Sequence, residues 1–174
     1  MDFEIRKITQ PTPEIVTILN RWENDPILVP FIRPAESEEK LREEQEVTLE
    51  NLKRRLDSHE EYLIYRENRM IGHMSVQIDP AHIAKKEKGT AWIGIYIGDH
   101  DIRGRGAGTF ALTRLEDLLK KRQLHRIELG VFEFNTGAFR FYRKLGFTAF
   151  ERIDDFTWWQ GRMWQDIRME KYLD

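Results

Sequence analysis

Cysteine is absent from the sequence, which excludes disulfides, thiolate metal sites and a cysteine nucleophile. Long apolar runs are missing too. No stretch approaches the ~20 residues that a membrane-spanning helix needs, so no membrane association is expected. Charge of one sign is lacking: 28 Lys and Arg stand against 30 Asp and Glu, for a net charge of −2. A chain so balanced has no global field to draw it to nucleic acid, which is not expected as a partner. There is no internal repeat and no low-complexity tract. The opening MDFEIRKITQ has no cationic region followed by an apolar core, so no secretory leader is expected and a reducing cytoplasm is the expected compartment.

What is present suits one folded domain over residues 1–174, with 40% hydrophobic and 33% charged residues. Phe3 and Ile5 alternate with polar residues, predicting a strand over 2–8. Thr12-Pro13 offers an N-cap hydroxyl and a proline at the first helical position. Ile15, Ile18, Leu19 and Trp22 then share a helical face. NDPILVPFIRP holds three prolines and cannot be one helix; its apolar residues read as a loop on the core or a wall of a pocket. Over 37–56, Leu41, Gln45, Leu49, Leu52 and Leu56 are spaced as one helix stripe. The acidic run ESEEKLREEQE reads as a solvated helix face, with attraction of a polyamine as the functional alternative. EYLIYRENRMIGHMSVQID predicts a hairpin turning at Glu67-Asn68-Arg69, and TAWIGIYIG a strand buried on both faces. A helix carrying Phe110, Ala111, Leu115, Leu118 and Leu119 follows. Next come a strand through Ile127, Leu129 and Val131, a short helix over 136–145 stopped by Gly146, and two strands around 148–156 and 163–172. The order β-α-α-β-β-β-α-β-α-β-β predicts the α/β class: a mixed α+β sheet with antiparallel hairpins and one parallel crossover.

Between the buried strand and the next helix lies DIRGRGAGTFAL, with glycines at 104, 106 and 108 and arginines at 103 and 105. A dinucleotide fingerprint would need glycine where Thr109 stands, and no GxxxxGK string occurs, so neither nucleotide motif fits. RxxGxG remains, through Arg103, Gly106 and Gly108. Glycines let N–H groups converge on one point, a helix start adds positive potential, and two guanidinium groups can bind phosphate. An ordinary strand-to-helix turn explains the motif about as well.

Downstream, RIELGVFEFNTGAFRFYRKLGF places Asn135 as an N-cap and Tyr142 two turns later on the same helical face. The pairing of N-x-x-A-x-x-x-Y-x-K-x-G-F with the upstream RxxGxG resembles the GNAT acyltransferases, which move an acetyl group from acetyl-coenzyme A to an amine. The resemblance is sharp over the last half of the chain and lies only in element order over the first. WENDP (22–26) and GRMWQDIRM further resemble the branch containing ribosomal-protein N-terminal and polyamine acetyltransferases.

The resemblance implies a GNAT-like acyl-CoA N-acyltransferase fold, acetyl-CoA (coenzyme A) as cosubstrate, and a small-molecule amine or peptide N-terminus as partner, with a homodimer common in such families. It assigns the pyrophosphate to the N–H groups of Arg103, Gly104, Arg105, Gly106, Ala107 and Gly108. The pantetheine arm falls to the main chain of Ile95, Tyr96 and Ile97, with Asn135 on the other side and Phe139 packed against it. Tyr142 would serve the departing thiolate. A phenol of pKa ~10 drives proton transfer to a thiol of pKa ~8.5 only modestly, so a hydrogen bond can be all that it supplies.

One expected group is missing. Many members of this branch carry a glutamate two residues before the position of Gly94, where this chain has Trp92, which cannot accept a proton. Glu133, Asp99, Asp101 or a water chain are replacements within reach; Glu128, mid-strand, is weaker, and spacing distinguishes none. The five histidines are scattered, and no metal is expected. Trp158, Trp159 and Trp164 read as strand packing, an interface or a pocket wall. Two readings of function follow: an acetyltransferase acting by direct amine attack, or an acyl-CoA-binding sensor domain that has lost its base.

Overall fold

Alternation in FEIRK gives the first strand, β1 (Phe3–Lys7). The Thr12 hydroxyl accepts a hydrogen bond from the Ile15 N–H at 3.3 Å and opens α1 (Pro13–Glu23). The structure, a computed structural model, describes residues 2–174. Inside the proline-rich segment lies one turn of helix, α2 (Val29–Ile32), with Pro30 in its first turn, where an N–H has no intrahelical acceptor to lose. The continuous helix predicted over 37–56 is broken in two, α3 (Glu38–Arg42) and α4 (Leu49–Ser58). Two asparagines, Asn20 of α1 and Asn24 at its C-terminal cap, cause the break by holding the backbone between the two helices extended. Asn20 accepts from the Val47 N–H at 2.7 Å and donates to its carbonyl at 2.6 Å. Asn24 holds Gln45 in the same way, at 2.9 and 3.1 Å. Thr48 and Asn51 then form a capping box that restarts the helix.

The hairpin β2 (Glu60–Arg66) and β3 (Arg69–Ile78) turns through Glu67 and Asn68, both at positive φ (48° and 66°), as a tight two-residue turn requires. Then follow β4 (Thr90–Ile97), α5 (Ala107–Lys121), β5 (Arg126–Phe132), α6 (Thr136–Lys144), β6 (Thr148–Trp159) and β7 (Arg162–Tyr172). The seven strands form one sheet in the order β1-β2-β3-β4-β5-β7-β6. Every neighbouring pair is antiparallel except β4–β5, the crossover expected around α5. The sheet is covered on both faces. Tyr62, Ile64, Ala91, Ile127 and Leu129 pack with Ala111, Leu112 and Leu115 of α5 and with α6. Leu63 turns to the other face and packs with Leu19 and Trp22 of α1 and Leu52 of α4.

The lone parallel pair is also the shortest. β4 and β5 are paired only at Thr90, Ala91 and Trp92, opposite Arg126, Ile127 and Glu128. Beyond Trp92 the strands diverge, while β4 stays paired with β3 as far as Ile97. TAWIGIYIG is therefore not buried throughout, as its composition suggested. Thr90, Ala91 and Ile93 are buried, whereas residues 94–97 are half-buried because one flank of the strand opens onto a cleft.

Candidate functional site

Residues directly paired across strands point to the same face of a sheet. The registers of β3, β4, β5 and β7 therefore set out the floor of the cleft. Gln77, Trp92, Glu128 and Glu170 form a closed row where all four strands are in contact. One step further, Ser75 and Gly94 stand on one bank, Gly130 and Arg168 on the other. The next row holds His73 and Tyr96 facing Phe132 and Asp166. Two glycines thus flank the mouth of the divergence on the face away from α5 and α6. A cavity of about 630 Å³ runs through it and is lined from both faces of the sheet.

On the α5–α6 face the wall includes Asn135, Ala138 and Tyr142. The Asn135 side chain caps α6, its Oδ1 accepting from the Ala138 N–H at 3.3 Å. The Tyr142 ring is edge-packed against Phe141 and Phe147, at centroid distances of 5.1 and 5.6 Å. Burial pushes its phenol well above the ordinary tyrosine range, and no protein group shares that effect. Ile95 and Tyr96 line the cavity with these residues, but Ile97 and Phe139 are not in its wall. Phe139 packs on the core, with the Arg143 guanidinium 5.8 Å from its ring.

The glycine loop follows β4 after a 3₁₀ turn at His100–Ile102. Arg103, Gly104, Arg105 and Gly106 are exposed and Ala107 is buried. Gly104 and Gly106 adopt φ of 73° and 89°, and a Cβ on either would meet nothing within 4 Å. Gly106 caps α5 with no side chain to bond the helix's first N–H groups, which leaves those donors available to an anion. The third glycine differs. A Cβ at Gly108 would come within 3.2 Å of the Phe141 ring, so its smallness lets α5 and α6 approach. Arg103 donates from Nε to the Ile97 carbonyl at 3.3 Å, joining the loop to the end of β4.

On the opposite face the wall carries charge. Glu61 accepts from Arg55 and lies 2.7 Å from His73 Nε2. Burial opposes its ionisation, but His73 and Arg55 outweigh that and hold the carboxyl down at about 2. Arg55 also bridges to Glu23 at 3.0 Å, and the Tyr96 hydroxyl donates to Glu23 at 3.4 Å. Asp166 is only 2% exposed. Its Oδ2 accepts from Arg168 Nε at 2.8 Å, while the buried Oδ1 has no partner among the described residues. Burial raises its carboxyl above the usual range against the pull of Arg168. Arg168 in turn lies over the Trp92 ring at 4.6 Å, and His82 meets that ring edge-on at 4.8 Å.

None of the carboxylates singled out from sequence as replacement bases lines the cavity; those that do are Glu23, Glu61 and Asp166. Asp99 is ion-paired with Arg21 and Arg69, Asp101 is exposed, and Glu133 accepts from the Gln165 N–H. Glu128 is fully buried and saturated by Arg126, Arg168 and the Ala84 and Lys85 N–H groups. A signal for Asp166 existed in the sequence: QDIRME alternates charged and apolar residues, lining up Asp166, Arg168 and Glu170 on one strand face.

Residues 19–147 match the sequence profile described as the acetyltransferase (GNAT) family. A spermine/spermidine N(1)-acetyltransferase of Bacillus subtilis is 27% identical over 92 residues, which are 52% of this chain and 60% of that protein. An uncharacterized N-acetyltransferase of Methanocaldococcus jannaschii is 45% identical over 55 residues, 32% of this chain and 24% of its own length. The matched segment thus spans less than two thirds of these curated relatives. Among solved structures, a ribosomal-protein-alanine N-acetyltransferase from Brucella melitensis superposes with a TM-score of 0.74 at 22% identity, over 98% of this chain and 99% of that one. A spermidine N-acetyltransferase from Vibrio cholerae, in complex with CoA and spermine, gives 0.74 at 19% identity, over 98% and 95%. At such identities the likeness is one of fold.

Proposed function

The chain belongs to the acetyltransferase (GNAT) family, and from that premise we propose that it transfers the acetyl group of acetyl-CoA to a primary amine by direct attack. The observation that carries the reading is the divergence of β4 from β5 after Trp92, with Tyr142 on one side of the cleft and the Gly94–Gly130 window on the other. The residues fit a coenzyme of this class. Main-chain groups of residues 93–97 on the β5 side have no strand partner and can bond the amides of a pantetheine arm, as an added strand would. The open glycine turn and uncapped start of α5 suit a pyrophosphate.

Acetyl-CoA supplies the activated acyl group. Tyr142 holds its proton firmly and donates a hydrogen bond to the departing sulfur. The main-chain N–H groups of the divergent strand stabilise the carbonyl oxygen as it gains charge. Gly94 leaves room for the amine from the opposite face, while the space over Gly130 is taken by the Asp166 carboxylate. The wall sets Glu23, Glu61 and Asp166 beside Arg33, Arg55 and Arg168, a polar lining for an amine acceptor, either a polyamine or a protein N-terminus.

The test is release of free thiol from acetyl-CoA with spermine, spermidine and a set of N-terminal peptides. Turnover with at least one amine is expected. Coenzyme binding without turnover across the panel would instead favour the sensor reading.

A further inference from the structure

Resting on the acyl-transfer reading, we infer that Asp166 is the proton acceptor for the attacking amine, taking over from the position that Trp92 occupies. Asp166 is placed by the sheet itself. Its register partner on β5 is Phe132, and its side chain leans back over Gly130, at the first row beyond the last β4–β5 pair. A Cβ at Gly130 would lie 2.6 Å from Asp166 Oδ2 and 2.9 Å from Oδ1. Glycine at 130 is therefore what admits the carboxylate to the mouth of the cleft. One oxygen is fixed by Arg168, and the other is buried in the wall of the cavity with no partner among the described residues.

The rivals lining the same cavity are committed elsewhere. Glu61 is held by His73 and Arg55, and Glu23 by Arg55. His82 is exposed, and its ring stands against Trp92 in the closed row, one step short of the opening. The charged and titratable groups around Asp166 are Arg168 on its own strand, Glu128 on β5 and His82 from the 79–89 loop, with the Glu61–His73 pair across the cavity. Burial raises the affinity of Asp166 for a proton, as a base acting near neutral pH requires.

Trp92 has a part in this arrangement. Its ring supports the Arg168 guanidinium at 4.6 Å, and Arg168 Nε orients the carboxylate. In the reaction, one N–H bond of the substrate ammonium breaks and its proton passes to Asp166 Oδ1, and from there to solvent. The freed lone pair forms the C–N bond as the C–S bond breaks with its electrons on sulfur. A second proton leaves nitrogen and ends on the thiolate, giving the amide and free coenzyme thiol.

The experiment follows thiol release by wild type, Asp166→Asn, Asp166→Glu and Gly130→Ala between about pH 5 and pH 10, with calorimetry of coenzyme binding alongside. Asp166→Asn should lower kcat/KM about 10²–10³-fold and abolish the acidic limb of the pH profile, leaving a rate that climbs with the fraction of free amine. Asp166→Glu should recover part of the activity. Gly130→Ala, which displaces the carboxylate without removing it, should lose at least about tenfold while coenzyme affinity holds in every variant. A full rate with an intact acidic limb in Asp166→Asn overturns the assignment, as does loss of the limb in His82→Gln instead. A wild type inert toward every amine overturns the acyl-transfer reading itself, and this assignment with it.

Discussion

Replacing Tyr142 by phenylalanine removes one oxygen from a site where the structure defines what is lost. The phenol has no hydrogen-bond partner among the described residues, so no buried donor or acceptor there is orphaned by its removal. The ring keeps its edge contacts with Phe141 and Phe147. Stability should therefore stay within about 1 kcal/mol, or about 3 °C in Tm for a chain of this size. Turnover is another matter. A fixed donor aimed at charge that develops on a leaving atom is worth about 10²–10³ in kcat, or roughly 3–4 kcal/mol. Burial holds the phenol protonated beyond its ordinary range, so it acts by hydrogen bonding, and no alkaline limb near pH 10 should be traceable to it. The assay is kcat for thiol release with coenzyme affinity measured by calorimetry. An unchanged kcat with weakened coenzyme binding, or a Tm lowered by more than about 6 °C, would refute the reasoning and make Tyr142 a packing residue.

Gly106→Glu should abolish coenzyme binding, because it puts a side chain and a negative charge at a left-handed position in the phosphate turn; unchanged affinity would remove the pyrophosphate from this loop. Glu61 is depressed to about 2 in the fold from an ordinary 4.5. Its pairing thus contributes stability above about pH 4.5 that is lost as pH falls toward 2, on the order of 3 kcal/mol. In urea titrations the difference between wild type and Glu61→Gln should be large at pH 7 and close by pH 2; a gap that persists in acid would show a packing effect. Asn20→Ala strips both partners from Val47, and it should destabilise by about 1–3 kcal/mol in urea titrations. A change below about 0.5 kcal/mol would mean that the extended segment holds itself.

Local chemistry explains which parts of this fold the sequence disclosed. Thr12-Pro13, the Glu67-Asn68 turn, Gly146 and the alternation in β5 each act within a few residues, and each produced the expected element. The helix over 37–56 failed because its break is imposed from 25 or so residues away, by Asn20 and Asn24. Periodicity in one segment carries no trace of such a clamp. At the site, Asn135 and Tyr142 were legible because one helix sets their spacing. Asp166 was legible only as a position on one strand face of QDIRME, since its role depends on a glycine on another strand and on a ladder that stops at Trp92. The carboxylates nearest in sequence to the glycine loop, Asp99 and Asp101, proved to be engaged in ion pairs or turned outward.

The three-residue ladder between β4 and β5 also makes this sheet an arch with its top course missing. β1 to β4 form one limb and β5 to β7 the other, tied at the base by the Arg126 guanidinium, which bonds Glu128 and Glu170 of its own limb at 2.7 Å each and reaches across to the Thr90 hydroxyl of β4 at 3.3 Å. A ligand whose amides bond β4 along residues 93–97 and meet α6 from the other limb would serve as the keystone. At one hundred times its dissociation constant such a ligand adds about 2.7 kcal/mol to global stability. Amide exchange should slow most at the upper ends of the two limbs and least at the base, where the stones already touch.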